Sequence, residues 1–152
     1  DYIRYNVRSQ IFAKSLPMPL VVGNLKRLEL LKTQPQLKEK LWENAKKLQK
    51  GLKEKGFDIG KTDSVVTPVY MKGDIPEATA MVMDLRENYH IFCSIVVYPV
   101  IPKGHIIYRL IPTAVHTDQD IKETLEAFTA TKKKLDAGEY KVEAIPDMAD
   151  AK

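Results

Sequence analysis

The chain has 152 residues, 44% hydrophobic and 29% charged, enough for one soluble domain with a real core. A formal charge of +4, with the lysines between Lys38 and Lys61 interleaved with glutamates, describes solvated helix faces, and no nucleic-acid-binding motif accompanies it. No apolar run approaches the ~18 residues that span a bilayer, Asp1 to Asn6 lack a secretory pattern, and the lone cysteine, Cys93, excludes internal disulfides and cysteine-rich metal sites, so a reducing cytoplasm is expected.

Residues 2 to 14 set Tyr2, Ile3, Tyr5, Val7, Ile11 and Phe12 among Arg4, Arg8 and Lys14, and read as a segment entered in mid-pattern. Leu16-Pro-Met-Pro19 breaks that pattern and launches a helix, with Val21, Leu25, Leu28 and Leu31 on one face. Pro35 begins a second long helix in which Leu37, Leu41, Leu48 and Leu52 recur at helical spacing, and Gly56 ends it. Val65 to Met71 is expected as a strand, at an edge or bulge because Pro68 lies inside it. A turn at Lys72 to Pro76 leads into a helix whose Ala78, Met81, Val82, Leu85 and Tyr89 share a face. The nearly continuous apolar run from His90 to Val97 is expected as a central strand, with Cys93 a small core residue.

Pro99, Pro102 and Gly104 then make a stiff loop, followed by a strand over His105 to Ile111. Thr117-Asp-Gln-Asp120 matches a capping box opening a helix with Ile121, Leu125, Phe128 and Leu135 inward. After Gly138 the periodicity fades. The predicted architecture is α+β: a small, mainly antiparallel sheet covered by helices and preceded by two long helices. The expected segments are a linking and dimer-forming segment with its helix over 1–34, the α+β domain over 35–137, and a mobile tail over 138–152.

Period-2 alternation puts Arg109 on the same strand face as Ile107 and Ile111. Such a guanidinium must be paired or face a ligand, because an unpaired buried charge is very costly. It is either a structural ion pair or edge residue with its head in water, or a planar fork that grips a carboxylate through two parallel hydrogen bonds. His90, His105 and His116 are not spaced as metal ligands, and His116 reads as a turn residue ahead of a helix. The residues alone supply no complete catalytic set. A stand-alone module that binds a small carboxylate or mediates dimerisation is therefore the competing reading.

Leu41-Trp-Glu-Asn-Ala45, Gly56-Phe57, Tyr98-Pro-Val-Ile-Pro-Lys-Gly104, Arg109, Ala114-Val-His-Thr117 and Glu126-Ala-Phe-Thr129 resemble, in order and spacing, the C-terminal part of the α-oxoamine synthases. These are pyridoxal-phosphate (PLP) enzymes of the aspartate-aminotransferase fold that condense an amino acid with an acyl-CoA. The resemblance implies a homodimer, a large domain absent from this chain, and PLP as cofactor. Its nearest pattern is the member that joins glycine to acetyl-CoA, with pimeloyl or palmitoyl donors kept open. It assigns the substrate carboxylate to Arg109. It assigns contact with the PLP phosphate, across the dimer interface, to the segment Phe12-Ala-Lys-Ser-Leu16, where Ser15 keeps the family's hydroxyl and Ala13 and Lys14 depart from its pattern. That segment also has a superficial likeness to the family's Schiff-base lysine motif. The register set by Leu41 to Ala45 instead places the lysine, the pyridinium-pairing aspartate and the ring-stacking histidine outside this chain, which is therefore expected to be inactive by itself.

Overall fold

The computed structural model describes residues 1–141. The chain divides into two compact units, Asp1–Lys38 and the residues from Glu39 onward. In the first, α1 (Tyr2–Asn6) and α2 (Arg8–Ile11) are separated by an extended Val7. Pro17 caps α3 (Met18–Thr33), and Pro19 sits in its first turn, where a missing N–H costs nothing. None of these three helices buries a residue; Leu25, Leu28 and Leu31 of α3 are all exposed.

Helix α4 (Pro35–Glu54) is amphipathic and buries Asn44, Ala45, Leu48 and Leu52. It ends at Gly56, whose φ of +79° suits a residue without Cβ, and the Phe57 N–H returns to the Leu52 carbonyl at 3.0 Å. The turn delivers Phe57 into the core. Beyond it come β1 (Thr67–Lys72), α5 (Ile75–Tyr89), β2 (Ser94–Val96), β3 (His105–Leu110) and α6 (Asp118–Asp136). The sheet has the order β1-β3-β2 and is antiparallel throughout. This is the α+β arrangement the sequence predicts.

β1 is an edge strand, as Pro68 requires, and its outer side is bridged by Asp58, whose carbonyl accepts the Tyr70 N–H. The run from His90 to Val97 is neither a full strand nor central. His90 takes a left-handed conformation (φ 58°) to close α5, and the Ile91 N–H returns to the Leu85 carbonyl, so only Ser94 to Val96 remain to pair. Because β3 turns back on β2 and also accepts β1, β3 is the middle strand and β2 the second edge.

One face of the sheet is covered by helices. Val69, Met71, Ile106, Tyr108 and Leu110 pack with residues of α4, α5 and α6 into a single cluster. Phe128 lies at its centre, edge-on to Phe57 and Tyr108 with ring centroids 6.2 and 6.0 Å apart. Cys93 is buried in this cluster, and burial pushes its thiol up to about 11. The predicted capping box at Thr117 and Asp120 is present on α6. A second box, Asp74 with Glu77, opens α5, so the stretch expected as a turn is also a helix cap, which the Asp-x-x-Glu spacing signals.

The described chain ends with an anchor. The Asp84 carboxylate on α5 accepts from Lys134 Nζ at 2.7 Å, from Asn88 Nδ2 at 2.6 Å and from the Tyr140 hydroxyl. Tyr140 thus ties the segment after α6 to the core, while residues 142–152 of the expected tail lie outside the described residues. Burial works to raise Asp84, but its bonds to Lys134, Tyr140 and Asn88 outweigh this and hold its carboxyl below the usual range.

Two stability predictions follow from this packing. Phe128→Ala should cost about 3–5 kcal/mol in urea unfolding, as truncation of a fully buried ring does. Asp84→Asn should cost about 1–3 kcal/mol at pH 7, the worth of hydrogen bonds to a charged group. The Asp84 contribution belongs to a depressed folded pKa, so it is present above the unfolded value of about 3.9. It should fade as pH falls through the folded value, and the two proteins should converge in acid. An equal difference at every pH would show that the charge is not what holds Tyr140 and Lys134.

Candidate functional site

Alternation along β3 turns Ile106, Tyr108 and Leu110 into the core and His105, Ile107 and Arg109 to the opposite face. Arg109 is exposed on the middle strand, between Pro68 on β1 and Ser94 on β2, its register partners on either side. Its Nε donates to Ser94 Oγ at 3.0 Å. No carboxylate among the described residues pairs with it, and its strand is the middle one of the sheet, not an edge. The next pair in register, Ile107, is flanked by Tyr70 and Val96. Beyond the other end of the pairing lie Phe92 and Ile111, 84% and 56% exposed. A fixed cation therefore sits on an open sheet face whose other side chains are largely apolar.

The strand end beyond Arg109 is held from α4. Asn44 Nδ2 donates to the carbonyls of Thr113 and His116, at 2.9 and 2.8 Å. The Thr113 N–H donates to His116 Nδ1 at 3.1 Å. Two of the motif segments, Leu41 to Ala45 and Ala114 to Thr117, thus meet in one clamp, and His116 closes a turn. Asn44 lies within one of the motif segments and Ser94 within none, and the hydrogen-bonding role of each shows only through a partner 69 or 15 residues away.

Lys14 and Ser15 belong to the first unit, and Arg109 to the second. Both are exposed, in the turn between α2 and α3, and Lys14 has a φ of 48°. An ammonium and a hydroxyl there, with no side-chain hydrogen bond to another described residue, are donors of the kind a phosphate accepts. Three clefts of the second unit, of about 470, 430 and 250 Å³, are lined by other residues; none includes Arg109. Among the described residues no cluster of His, Cys, Asp and Glu is arranged to hold a metal, and no helix is long and apolar enough to cross a membrane.

No family model matches the chain. A cysteate-C-fatty acyltransferase of Capnocytophaga ochracea is 60% identical over 99% of this chain, which covers 36% of that protein. A 2-amino-3-ketobutyrate coenzyme A ligase of Escherichia coli K12 is 31% identical over 89% of the chain and 33% of its own length. A solved structure of serine palmitoyltransferase with PLP superimposes with a TM-score of 0.77 at 29% identity, over 89% of this chain and 34% of that one. The chain thus spans about a third of the length of the relatives it matches. On sequence and fold together, its homologues are members of the α-oxoamine synthase family, and the chain corresponds to their C-terminal part.

Proposed function

We propose that this chain is the part of a PLP-dependent acyl-CoA:amino-acid C-acyltransferase that presents the substrate-carboxylate arginine, Arg109. The observation that carries the reading is a guanidinium held on the middle strand, with no carboxylate partner among the described residues, on a largely apolar face. Once a larger domain covers that face, the low dielectric strengthens a pairing that bulk water would weaken, and leaving the cation alone becomes costly. An incoming carboxylate satisfies it. The role of Arg109 is to orient: a planar, permanently charged fork fixes the amino acid so that one Cα bond faces the reacting centre.

PLP, when bound, supplies the electron sink that stabilises a carbanion at Cα. Within this chain Ser15 and Lys14 are the residues suited to its phosphate, by hydroxyl and ammonium donation in the partner protomer of a homodimer. The departure at Lys14 puts a cation where the family pattern has a neutral donor. The residue that attaches PLP lies in the larger part, so the chain alone turns over nothing. The 60% identity with a cysteate-C-fatty acyltransferase supports a sulfonated amino acid and a fatty acyl donor over the glycine and acetyl-CoA pair that the sequence pattern favoured. The 31% identity with the 2-amino-3-ketobutyrate ligase supports only the shared chemistry.

Two measurements check this reading. In the full-length protein, Arg109→Ala should lower kcat/KM for the amino acid about 10²-fold, the equivalent of about 3 kcal/mol from a charge-assisted pair. Arg109→Lys should recover only part of it, since a point charge lacks the fork. Unchanged kinetics in Arg109→Ala would remove the assignment. For the 152-residue chain alone, incubation with PLP and borohydride should leave no stoichiometric adduct on Lys14 by mass spectrometry. Such an adduct would contradict its placement at the phosphate.

A further inference from the structure

Ser94 interrupts a pattern. The outward positions beside it, Phe92 and Val96, are apolar, and its neighbours Cys93 and Ile95 pack on the core side. A small hydroxyl adds less apolar packing to that face than the residues on either side of it. It stands directly across from Arg109 in the β2–β3 register, and its Oγ accepts the Arg109 Nε–H at 3.0 Å. That is the only side-chain hydrogen bond of either residue among the described residues.

We infer that Ser94 is a positioning residue for the amino-acid site, fixing the guanidinium of Arg109 so that its Nη1–Nη2 edge is left to take the substrate's acid group. The inference rests on the carboxylate role proposed for Arg109 and says how that role is set up. A guanidinium can hold a carboxylate in two ways: side-on, through Nε and one Nη, or end-on, through both Nη atoms. Ser94 occupies Nε, which removes the side-on mode. The guanidinium is planar and Nε is part of it, so one bond at Nε sets the direction in which the remaining four N–H groups point. An exposed arginine otherwise loses rotamer freedom when a ligand fixes it. Here part of that ordering precedes binding, and the affinity gained is of the kind preorganisation gives. The hydroxyl carries no charge, so it orients the arginine without competing for it. An aspartate at the same place would neutralise the fork.

The test uses the full-length protein with PLP and reads the change in cofactor absorbance as cysteate is titrated, with steady-state kinetics beside it. Ser94→Ala should raise the dissociation constant for the amino acid about tenfold, leaving the KM for acyl-CoA and the thermal midpoint unchanged. Ser94→Thr, which keeps the hydroxyl on a β-branched side chain, should restore binding. In an Arg109→Ala background, Ser94→Ala should have no further effect, because the serine acts through the arginine. The inference is overturned if Ser94→Ala binds cysteate as the parent does, or if it weakens binding equally whether or not Arg109 is present. If the parent protein responds to no amino acid at all, the carboxylate reading falls and this inference falls with it. A separate readout needs neither cofactor nor substrate. In the 152-residue chain, the Arg109 Nε–H resonance should be protected from exchange, and Ser94→Ala should abolish that protection; an unprotected resonance in the parent chain would also overturn the inference.

Discussion

The constraint on which the second unit depends is the alternation of β3. Ile106, Tyr108 and Leu110 must face the helices, because they supply the middle of the cluster built around Phe128. A strand with that inner face has its odd-numbered residues pointing the other way, and one of these is Arg109. A slip of one residue in register would bury the guanidinium and expose Tyr108, which no side-chain adjustment could repair. The position of the cation is therefore fixed by hydrophobic packing on the opposite side of the sheet. β1 and β2 hold β3 on both edges, which keeps it from shifting laterally.

Much of this order is written locally in the chain. Pro17 with Pro19, Pro35, Gly56, and Thr117 with Asp120 mark helix ends by their own backbone chemistry, and the structure places the ends there. Pro68 excludes a middle position for β1 for an equally local reason. What the sequence could not settle depended on pairing. The apolar run from His90 to Val97 resembled a central strand because both of its faces are apolar, and two-sided burial is the usual cause of that pattern. Its inner residues, among them Cys93 and Ile95, do pack on the core, while Phe92 on the other side is open. The run is apolar on both sides, and among the described residues its outer face is left open at Phe92.

The candidate site divides in the same way. Arg109 stands out in sequence because a charge sits among Ile, Tyr and Leu. Ser94 and Asn44 do not, since a serine in a strand and an asparagine in a helix are unremarkable until the fold brings their partners beside them. Asn44 joins two of the segments that carry the family resemblance, Leu41 to Ala45 and Ala114 to Thr117, so those motifs are explained by structure as much as by chemistry. Similarly, exposed leucines along α3, with apolar residues around the helix, fit an element that other parts of a larger protein cover. A chain that spans about a third of its relatives is expected to carry such faces.

The most direct measurement is a crystal structure of the full-length protein with its amino acid bound. The account requires the substrate's acid group within hydrogen-bonding distance of both Nη atoms of Arg109, with Nε still on Ser94 and the sheet face closed over by the larger domain. An acid group held by a different cation, with Arg109 left in solvent, would contradict it.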